Sequence, residues 1–378
     1  MKIGIVGNYG HDNNGDEAIL QGILQQLTEH LHINKQDITI FSNNPENTYE
    51  RYGVKSAFLI KKKGNIASTM LSTLSQHAKI IKGLDVLIIG GGGILMDMYK
   101  RDAPLYSIIA FIGRLFRCRI IIYGVGAGPI TTGLGKVLIK GMANSASMVA
   151  VRDEKSKKLL ESIGIKKEIE IIADPAFTLG DEKPAVLSKN IKKIGVTAVP
   201  YYSSEYWPES NPEKYQSYIT GMAENLDALI ERLDAEVIFY STKFPQDVKV
   251  TEEICHLMQH SSNVKVEKGN LHPTDLMKLS SEMDLIIGTR LHSLILAVAA
   301  GTPIIGIGYH KKVQSFMERL DKEDLYVDIS KLHQRPIVDV VEHLSEHWMD
   351  RQEEFGELSG KMKSEALYGA ELMKKLIR

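Results

Sequence analysis

The sequence predicts two α/β domains of the Rossmann type, each a parallel sheet wound with helices. Three observations predict them. Short apolar runs recur along most of the chain, separated by stretches of helical periodicity. The runs end in turns carrying Gly, Asp, Arg or His, as strands do at the ligand-binding edge of an open parallel sheet. A polar segment without apolar period, residues 180–190, divides the series in two, and 378 residues are ample for two cores.

In the first series, residues 3–6, 38–41, 86–89, 120–123, 148–151 and 169–172 read as strands. The first runs out into Gly7-Asn8-Tyr9-Gly10-His11-Asp12-Asn13-Asn14-Gly15, and a helix begins at Asp16-Glu17 with Ile19, Ile23, Leu24 and Leu27 on one face. The loop departs from the G-x-G-x-x-G spacing, and two carboxylates at the helix start would repel a pyrophosphate, so no dinucleotide site is expected. Asp16 and Glu17 suit capping and dipole compensation, yet the Gly- and Asn-rich loop can also follow a ligand with its backbone. The run Gly90-Gly91-Gly92-Gly93 after residues 86–89 has the same character, since each glycine costs about 0.5–1 kcal/mol relative to alanine in a regular element. Arg152 opens a helix beside Asp153, and either an ion pair with Asp153 or Asp174 or a ligand contact fits its spacing. Lys61-Lys62-Lys63 with Lys79 and Lys82 makes a basic surface, read as a solvated face or as contact with an anionic membrane.

The second series has strands at residues 194–198, 237–240, 264–266, 285–287 and 304–307, with helices at 215–233, 248–258 and 273–280 between them. Its centre is the stretch from Gly288 to Lys312. Leu291, Leu294, Ile295 and Val298 mark a helix starting near Arg290, and Gly301 with Pro303 stops it. Both polar clusters, Arg290 with His292 and His310 with Lys311 and Lys312, then fall outside strand ends, where a ligand sits. Arg290 lies near a helix N-terminus, which favours anions, so the expected ligand is anionic. His292, on an apolar helix, suits a core position or a site; His310 follows a strand into a basic loop. The expected domains are residues 1–180 and 190–335, with C-terminal helices over 336–378. Two such domains facing across a cleft make the GT-B architecture.

Composition narrows the function. Lys and Arg number 46 against 47 Asp and Glu, so no global field recruits nucleic acid. Two cysteines, Cys118 and Cys255, form neither a disulfide framework nor a metal cluster, no metal-ligand spacing is present, and a reducing cytoplasm is expected. Met1 and Lys2 lead straight into a strand without a secretory pattern, and the apolar stretches are too short to span a bilayer.

The ordered motifs Gly7-Asn8-Tyr9-Gly10, Asn13-Asn14-Gly15-Asp16-Glu17, the glycine loop running on to Leu95, Val151-Arg152-Asp153, Asp174-Pro175-Ala176, Gly288-Thr289-Arg290-Leu291-His292 and Tyr309-His310-Lys311 span roughly residues 3–319. In that order they resemble the polysaccharide pyruvyl transferase family, in particular the bacterial enzymes acting on secondary cell-wall polymer precursors. The resemblance implies transfer of pyruvate from phosphoenolpyruvate to two hydroxyls, 4 and 6, of one sugar, giving a cyclic ketal and phosphate. Phosphoenolpyruvate is then a co-substrate and no cofactor is expected. The doubly anionic donor calls for Arg152, Arg290, Lys311 and Lys312. Protonation of its methylene carbon calls for an acid, His310 or His292, and the hydroxyls for a base or relay, with Asp16 a candidate. Asn13, Asn14, Gly15, Glu17, Gly91 and Gly92 are expected on the sugar acceptor. The first domain is thus expected on the acceptor side, and the second is expected to hold most of the phosphoenolpyruvate site. The implied acceptor is N-acetylmannosamine in a lipid-diphosphate-linked disaccharide, met at the inner face of the cell membrane by a peripheral protein. Acceptor choice is expected in the aromatic segment, residues 201–212. The competing readings are a GT-B glycosyltransferase using a nucleotide sugar and a non-catalytic sugar-binding protein of the same fold.

Overall fold

A computed structural model describes residues 1–180, 187–207 and 209–377. The chain forms two compact units: Met1–His11, Asp16–Thr178 and Met362–Arg378 make unit 1, and Asp12–Gly15 with Leu179–Lys361 make unit 2.

Unit 1 runs β1 Ile3–Val6, α1 Asn14–Gln25, β2 Ile38–Ser42, α2 Pro45–Tyr52, β3 Lys55–Phe58, α3 Ile66–Ile81, β4 Val86–Gly90, α4 Asp102–Leu115, β5 Arg119–Val125, α5 Gly133–Ser145, β6 Met148–Val151, α6 Glu154–Ser162 and β7 Ile169–Ile171. The strands are all parallel, in the order β3-β2-β1-β4-β5-β6-β7. β1 sits between β2 and β4 with Ile3 opposite both Ile38 and Val86, so alternate side chains feed two cores. One core holds Leu87, Ile89, Ile109 and Ile139 under α3, α4 and α5; the other holds Ile5, Ile19, Ile23 and Ile88 under α1.

Unit 2 runs β8 Lys193–Thr197, α7 Pro212–Leu233, β9 Glu236–Phe239, α8 Gln246–Leu257, β10 Val264–Val266, α9 Pro273–Ser281, β11 Leu285–Gly288, α10 Leu291–Ala299, β12 Ile304–Gly308, α11 Lys311–Arg319, β13 Tyr326–Asp328, α12 Pro336–Glu346 and α13 Trp348–Ile377. Its strands are also parallel, in the order β10-β9-β8-β11-β12-β13. The strand order reverses beside β1 in one unit and beside β8 in the other. These are the switch points where doubly wound sheets bind ligands.

The expected strands lie within a residue or so of the observed ones. Two edge strands, β3 and β13, were not expected. Lys-Ser-Ala-Phe and Tyr-Val-Asp pair on one side only and carry no apolar run. The expected linker falls largely outside the described residues, at 181–186. The C-terminal helices do not form a separate segment, because α13 is shared. Trp348 Nε1 and Gln352 Nε2 donate to the Ser188 carbonyl in unit 2, at 3.0 and 2.9 Å. Further along, Gln26 Nε2 donates to the Ala366 carbonyl at 3.3 Å in unit 1, and Gly369 faces Tyr123. No helix among the described residues is long and apolar enough to cross a membrane.

A Cβ at Gly369 would lie 2.4 Å from the Tyr123 hydroxyl, whereas one at Gly360 would meet nothing within 4 Å. Gly369→Ala should therefore lower stability by about 1–3 kcal/mol despite alanine's better helix propensity. Gly360→Ala on the same helix should raise it by up to about 1 kcal/mol. Denaturant unfolding of the two variants checks the contrast.

Candidate active site

In unit 2, β11 ends at the sheet edge and the chain turns through Thr289 into α10, with Arg290 at the N-cap. Arg290 reaches Asp247, in the first turn of α8. Its Nε lies 3.2 and 3.1 Å from the two carboxylate oxygens and its Nη2 2.5 Å from Oδ1. Asp247 is fully buried and the Arg290 side chain is 14% exposed. The backbone N–H of Lys243 also donates to Asp247, at 3.0 Å. Burial works against the charge on Arg290, but Asp247 outweighs it and holds the guanidinium pKa above its ordinary value. Burial pushes the Asp247 carboxyl up, and the guanidinium opposes that.

Around this pair stand groups that the sequence reading did not assign. Lys243 Nζ donates to the Tyr206 hydroxyl at 2.6 Å. The Arg290 guanidinium carbon lies 5.7 Å from the centroid of the Tyr206 ring. Burial raises the Tyr206 pKa, but the Lys243 hydrogen bond and the Arg290 charge more than reverse this, and the phenol sits below its ordinary value. Tyr206 also walls a cavity of about 530 Å³, together with Tyr202, Tyr215, Lys249 and Glu253. Tyr201 packs edge to face on both Tyr202 and Trp207, and Tyr309 joins Trp207 at 5.4 Å between ring centroids. Tyr206 belongs to the aromatic segment singled out for acceptor choice. Lys243 and Asp247 follow a strand end, the same signal that marked Arg290, but without glycines or a paired motif to draw attention.

The expected basic loop after β12 is the first turn of a helix. His310 is the N-cap of α11 without making a side-chain cap, and Lys311 and Lys312 begin the helix, all three exposed. Desolvation, then Lys312 and Lys311, lower the His310 pKa. That first turn carries no acidic residue, so its free N–H groups and two lysines present positive charge together. His292, the second residue of α10, is half-buried, and its ring lies against Gly15, where a Cβ would come within 2.3 Å of Nδ1.

Asn13, Asn14 and Gly15 group with unit 2, not with the first domain as expected. The Asn14 N–H donates to the Thr242 carbonyl at 2.8 Å, and its buried side chain donates to Asn270 at 3.1 Å. Asn270 in turn donates to Asp12 at 2.9 Å. Asn14, expected on the acceptor, is consumed in anchoring this turn. Asn13 forms an antiparallel bridge with Lys243, which sets the turn beside the Arg290 cluster.

Unit 1 holds the remaining candidates. Asp16 is buried and accepts from Asn8 Nδ2 at 3.0 Å. Gly92, at φ +67°, approaches it so closely that a Cβ would lie 2.7 Å from Oδ1. Glycine is needed there on both counts. Glu17, expected on the acceptor, is turned inward. Its oxygens accept from the Gly10 N–H at 2.8 Å and the Tyr52 hydroxyl at 2.7 Å, clamping the loop that follows β1. Burial raises its pKa in spite of those bonds. Gly91 packs on Ile19 and the Tyr9 hydroxyl, and that hydroxyl donates to the Gly90 carbonyl at 2.6 Å. Arg152, expected on the donor with Arg290, lies in unit 1 between carboxylates, 3.5 Å from Asp174 and 3.7 Å from Asp153. The ion-pair alternative for Arg152 is therefore realised, and the two arginines belong to different units.

The family profile for polysaccharide pyruvyl transferases matches residues 13–311. The amylovoran biosynthesis protein AmsJ of Erwinia amylovora is 24% identical over 386 residues, covering 89% of this chain and 90% of that protein. Among solved structures, HepE of Anabaena, in complex with UDP and glucose, matches with a TM-score of 0.63 at 12% identity, covering 100% of this chain and 99% of that one. The UDP-GlcNAc 2-epimerase of Methanocaldococcus jannaschii matches with a TM-score of 0.62 at 13% identity, covering 100% and 99%. These structural likenesses establish the fold, two Rossmann-like domains of the GT-B class.

Removing Arg290 would strand a fully buried carboxylate. Arg290→Ala should cost roughly 3–5 kcal/mol of stability, and the double variant Arg290→Ala/Asp247→Asn should recover much of it. Thermal and denaturant unfolding of the single and double variants measure this. Equal stability of Arg290→Ala and the parent would show that the pair is not structural.

Proposed function

The chain belongs to the polysaccharide pyruvyl transferase family, and on that premise we propose that it transfers pyruvate from phosphoenolpyruvate to hydroxyls 4 and 6 of an N-acetylmannosamine residue in a lipid-diphosphate-linked precursor. The observation that carries the donor half is the concentration of cations at the strand ends of unit 2. Arg290, Lys243, Lys311 and Lys312 stand there with Asp247 as the buried counter-charge. Such an excess suits a phosphate and a carboxylate carried on one small molecule. A nucleotide sugar is the competing donor; HepE, in complex with UDP and glucose, and the UDP-GlcNAc 2-epimerase share only the fold with this chain.

The reaction balances as follows. A proton adds to the methylene carbon of phosphoenolpyruvate, making the neighbouring carbon electrophilic. One sugar hydroxyl forms a bond to that carbon and loses its proton. The carbon–phosphate oxygen bond breaks, phosphate leaves, and the second hydroxyl closes the ring as its proton departs. Of the two hydroxyl protons, one replaces the proton given to carbon and one leaves on phosphate. His310 is proposed as the acid, with His292 next in line. Asp16 and Tyr206 are proposed acceptors of hydroxyl protons, and Gly92 supplies backbone beside Asp16; Gly91, Asn13 and Gly15 are proposed as further acceptor contacts.

A histidine held below its ordinary pKa of 6.5 is mostly neutral in the free enzyme at neutral pH. A bound anion reverses that, because it favours the imidazolium. The limb of kcat/KM that reports His310 should therefore fall as pH rises through a value below 6.5, while the matching limb of kcat lies at higher pH. His310→Gln should lose about 10²–10⁴-fold in turnover while binding phosphoenolpyruvate almost normally. Phosphate release and pyruvyl transfer over a pH series test both. A loss confined to binding would make His310 a phosphate contact.

The base candidates separate by two conservative changes. Asp16→Asn keeps the hydrogen bond to Asn8 in kind, and Tyr206→Phe keeps the ring packing. Whichever group takes the proton should lose about 10²-fold or more in turnover with little change in donor affinity. The other variant should stay within severalfold of the parent. Single-turnover transfer decides, and two unimpaired variants would remove both from the reaction.

A further inference from the structure

Three neighbouring helices of unit 1, α3, α4 and α5, cover the same face of its sheet. Their inward residues fill the core, as helical periodicity requires. Their outward faces are unusual in also being apolar. Ile66 on α3 is 89% exposed and Leu71 is 71% exposed, with Met70 between them. Phe111 and Leu115, one turn apart on α4, are 67% and 66% exposed, and Val137 on α5 is 68% exposed. Single exposed apolar residues need no explanation, but three adjacent helices carrying them on one face do.

The exposed charge on these three helices has one sign. Helices α3, α4 and α5 contain one acidic residue, Asp102, and it is buried. Exposed lysines and arginines rim the apolar positions: Lys61, Lys62 and Lys63 just before α3, Lys82 after it, Arg114 on α4 and Lys136 on α5. No ion pair among the described residues engages any of these six cations. The whole chain has 46 basic and 47 acidic side chains, so this segregation is local. On α6, also packed on this face, Glu154 and Glu161 are interspersed with lysines.

We propose that this face of unit 1 docks on an anionic lipid bilayer. Apolar side chains at the centre enter the interface between headgroups and acyl chains, while the lysines and arginines meet the lipid phosphates. Charge complementarity selects that occupant. A protein partner would be expected to meet fewer lysines, which are depleted at protein interfaces, whereas lysine beside exposed Ile, Leu and Phe is the composition of interfacial membrane helices. The surface stands on unit 1 alone and does not depend on which donor or acceptor the enzyme uses. What the proposed function adds is a reason for it, since a lipid-linked acceptor is met only at a membrane.

The test is co-sedimentation of the full chain with vesicles of phosphatidylcholine alone and with added phosphatidylglycerol. Binding should require the anionic lipid and weaken as salt is raised. Each lysine near the surface is worth about 1 kcal/mol, or about fivefold in partitioning, so Lys61→Gln/Lys62→Gln/Lys63→Gln should weaken binding by about 10²-fold. Ile66→Glu/Leu71→Glu, which places two carboxylates at largely exposed positions, should abolish it without loss of folding. Failure to bind anionic vesicles at low salt overturns the proposal, as does equal binding to neutral vesicles. Variants that bind like the parent would move the contact elsewhere. Sedimentation velocity covers a second copy of the chain as occupant: a dimer lost in the Ile66→Glu/Leu71→Glu variant would also overturn it. None of these readouts involves pyruvyl transfer, so the two readings fail separately.

Discussion

The buried ion pair between Arg290 and Asp247 is the constraint around which the strand-end cluster of unit 2 is built. It joins the turn after β11 to the first turn of α8, two segments 43 residues apart in sequence. A buried ion pair is a poor source of net stability, because desolvation offsets most of the attraction. Its contribution here is geometric. With Nε and Nη2 held on Asp247, the guanidinium cannot swing, and its position beside Tyr206 is fixed. Asp247 also accepts from the backbone of Lys243, so the same carboxylate places the lysine whose ammonium bonds Tyr206. One buried charge thus positions two cations and a phenol.

The turn at Asn13 to Gly15 extends that order. Asn14 is tied to Thr242 and Asn270, and Asn13 bridges Lys243, so a segment from the start of the chain is laid against the cluster. Gly15 has no side chain because the His292 ring occupies the space where one would go. The asparagines and glycine of this motif are therefore explained largely by packing. A loop whose composition invited a ligand reading turns out to be secured by its own polar side chains, with Asp16 directly following the anchored turn.

Most of the fold was legible because buried parallel strands are short apolar runs and their helices carry the complementary period. Edge strands β3 and β13 were not, since half of each strand's pairing face is missing and its residues need not be apolar. The site was legible in a different proportion. Position after a strand end marked Arg290 and His310, both of which stand at helix N-caps on that edge. It could not show which polar and charged groups would take each other up. Glu17 is taken up by Gly10 and Tyr52, and Arg152 by Asp153 and Asp174, pairings across 7 to 35 residues for the first and up to 22 for the second that local spacing leaves open. Asp247 was missed for the same reason: its importance lies in its partner, and that partner is distant in sequence.

Electrostatics links the proposed donor site to its proposed acid. In the free protein, desolvation and then Lys312 and Lys311 oppose protonation of His310, and the two lysines also stand at the start of α11, where the proposed dianion would be met. These two effects are coupled. On the proposed reading, a dianion bound there would offset the lysines' share of that opposition, so the proton would be taken up when the molecule that must receive it has arrived. An acid of this kind is mostly unprotonated in the free protein and gains its proton with the substrate, and the two lysine charges that act on it lie within two residues of it. The arrangement asks little of the fold beyond a strand end and a helix start, which unit 2 provides at β12 and α11.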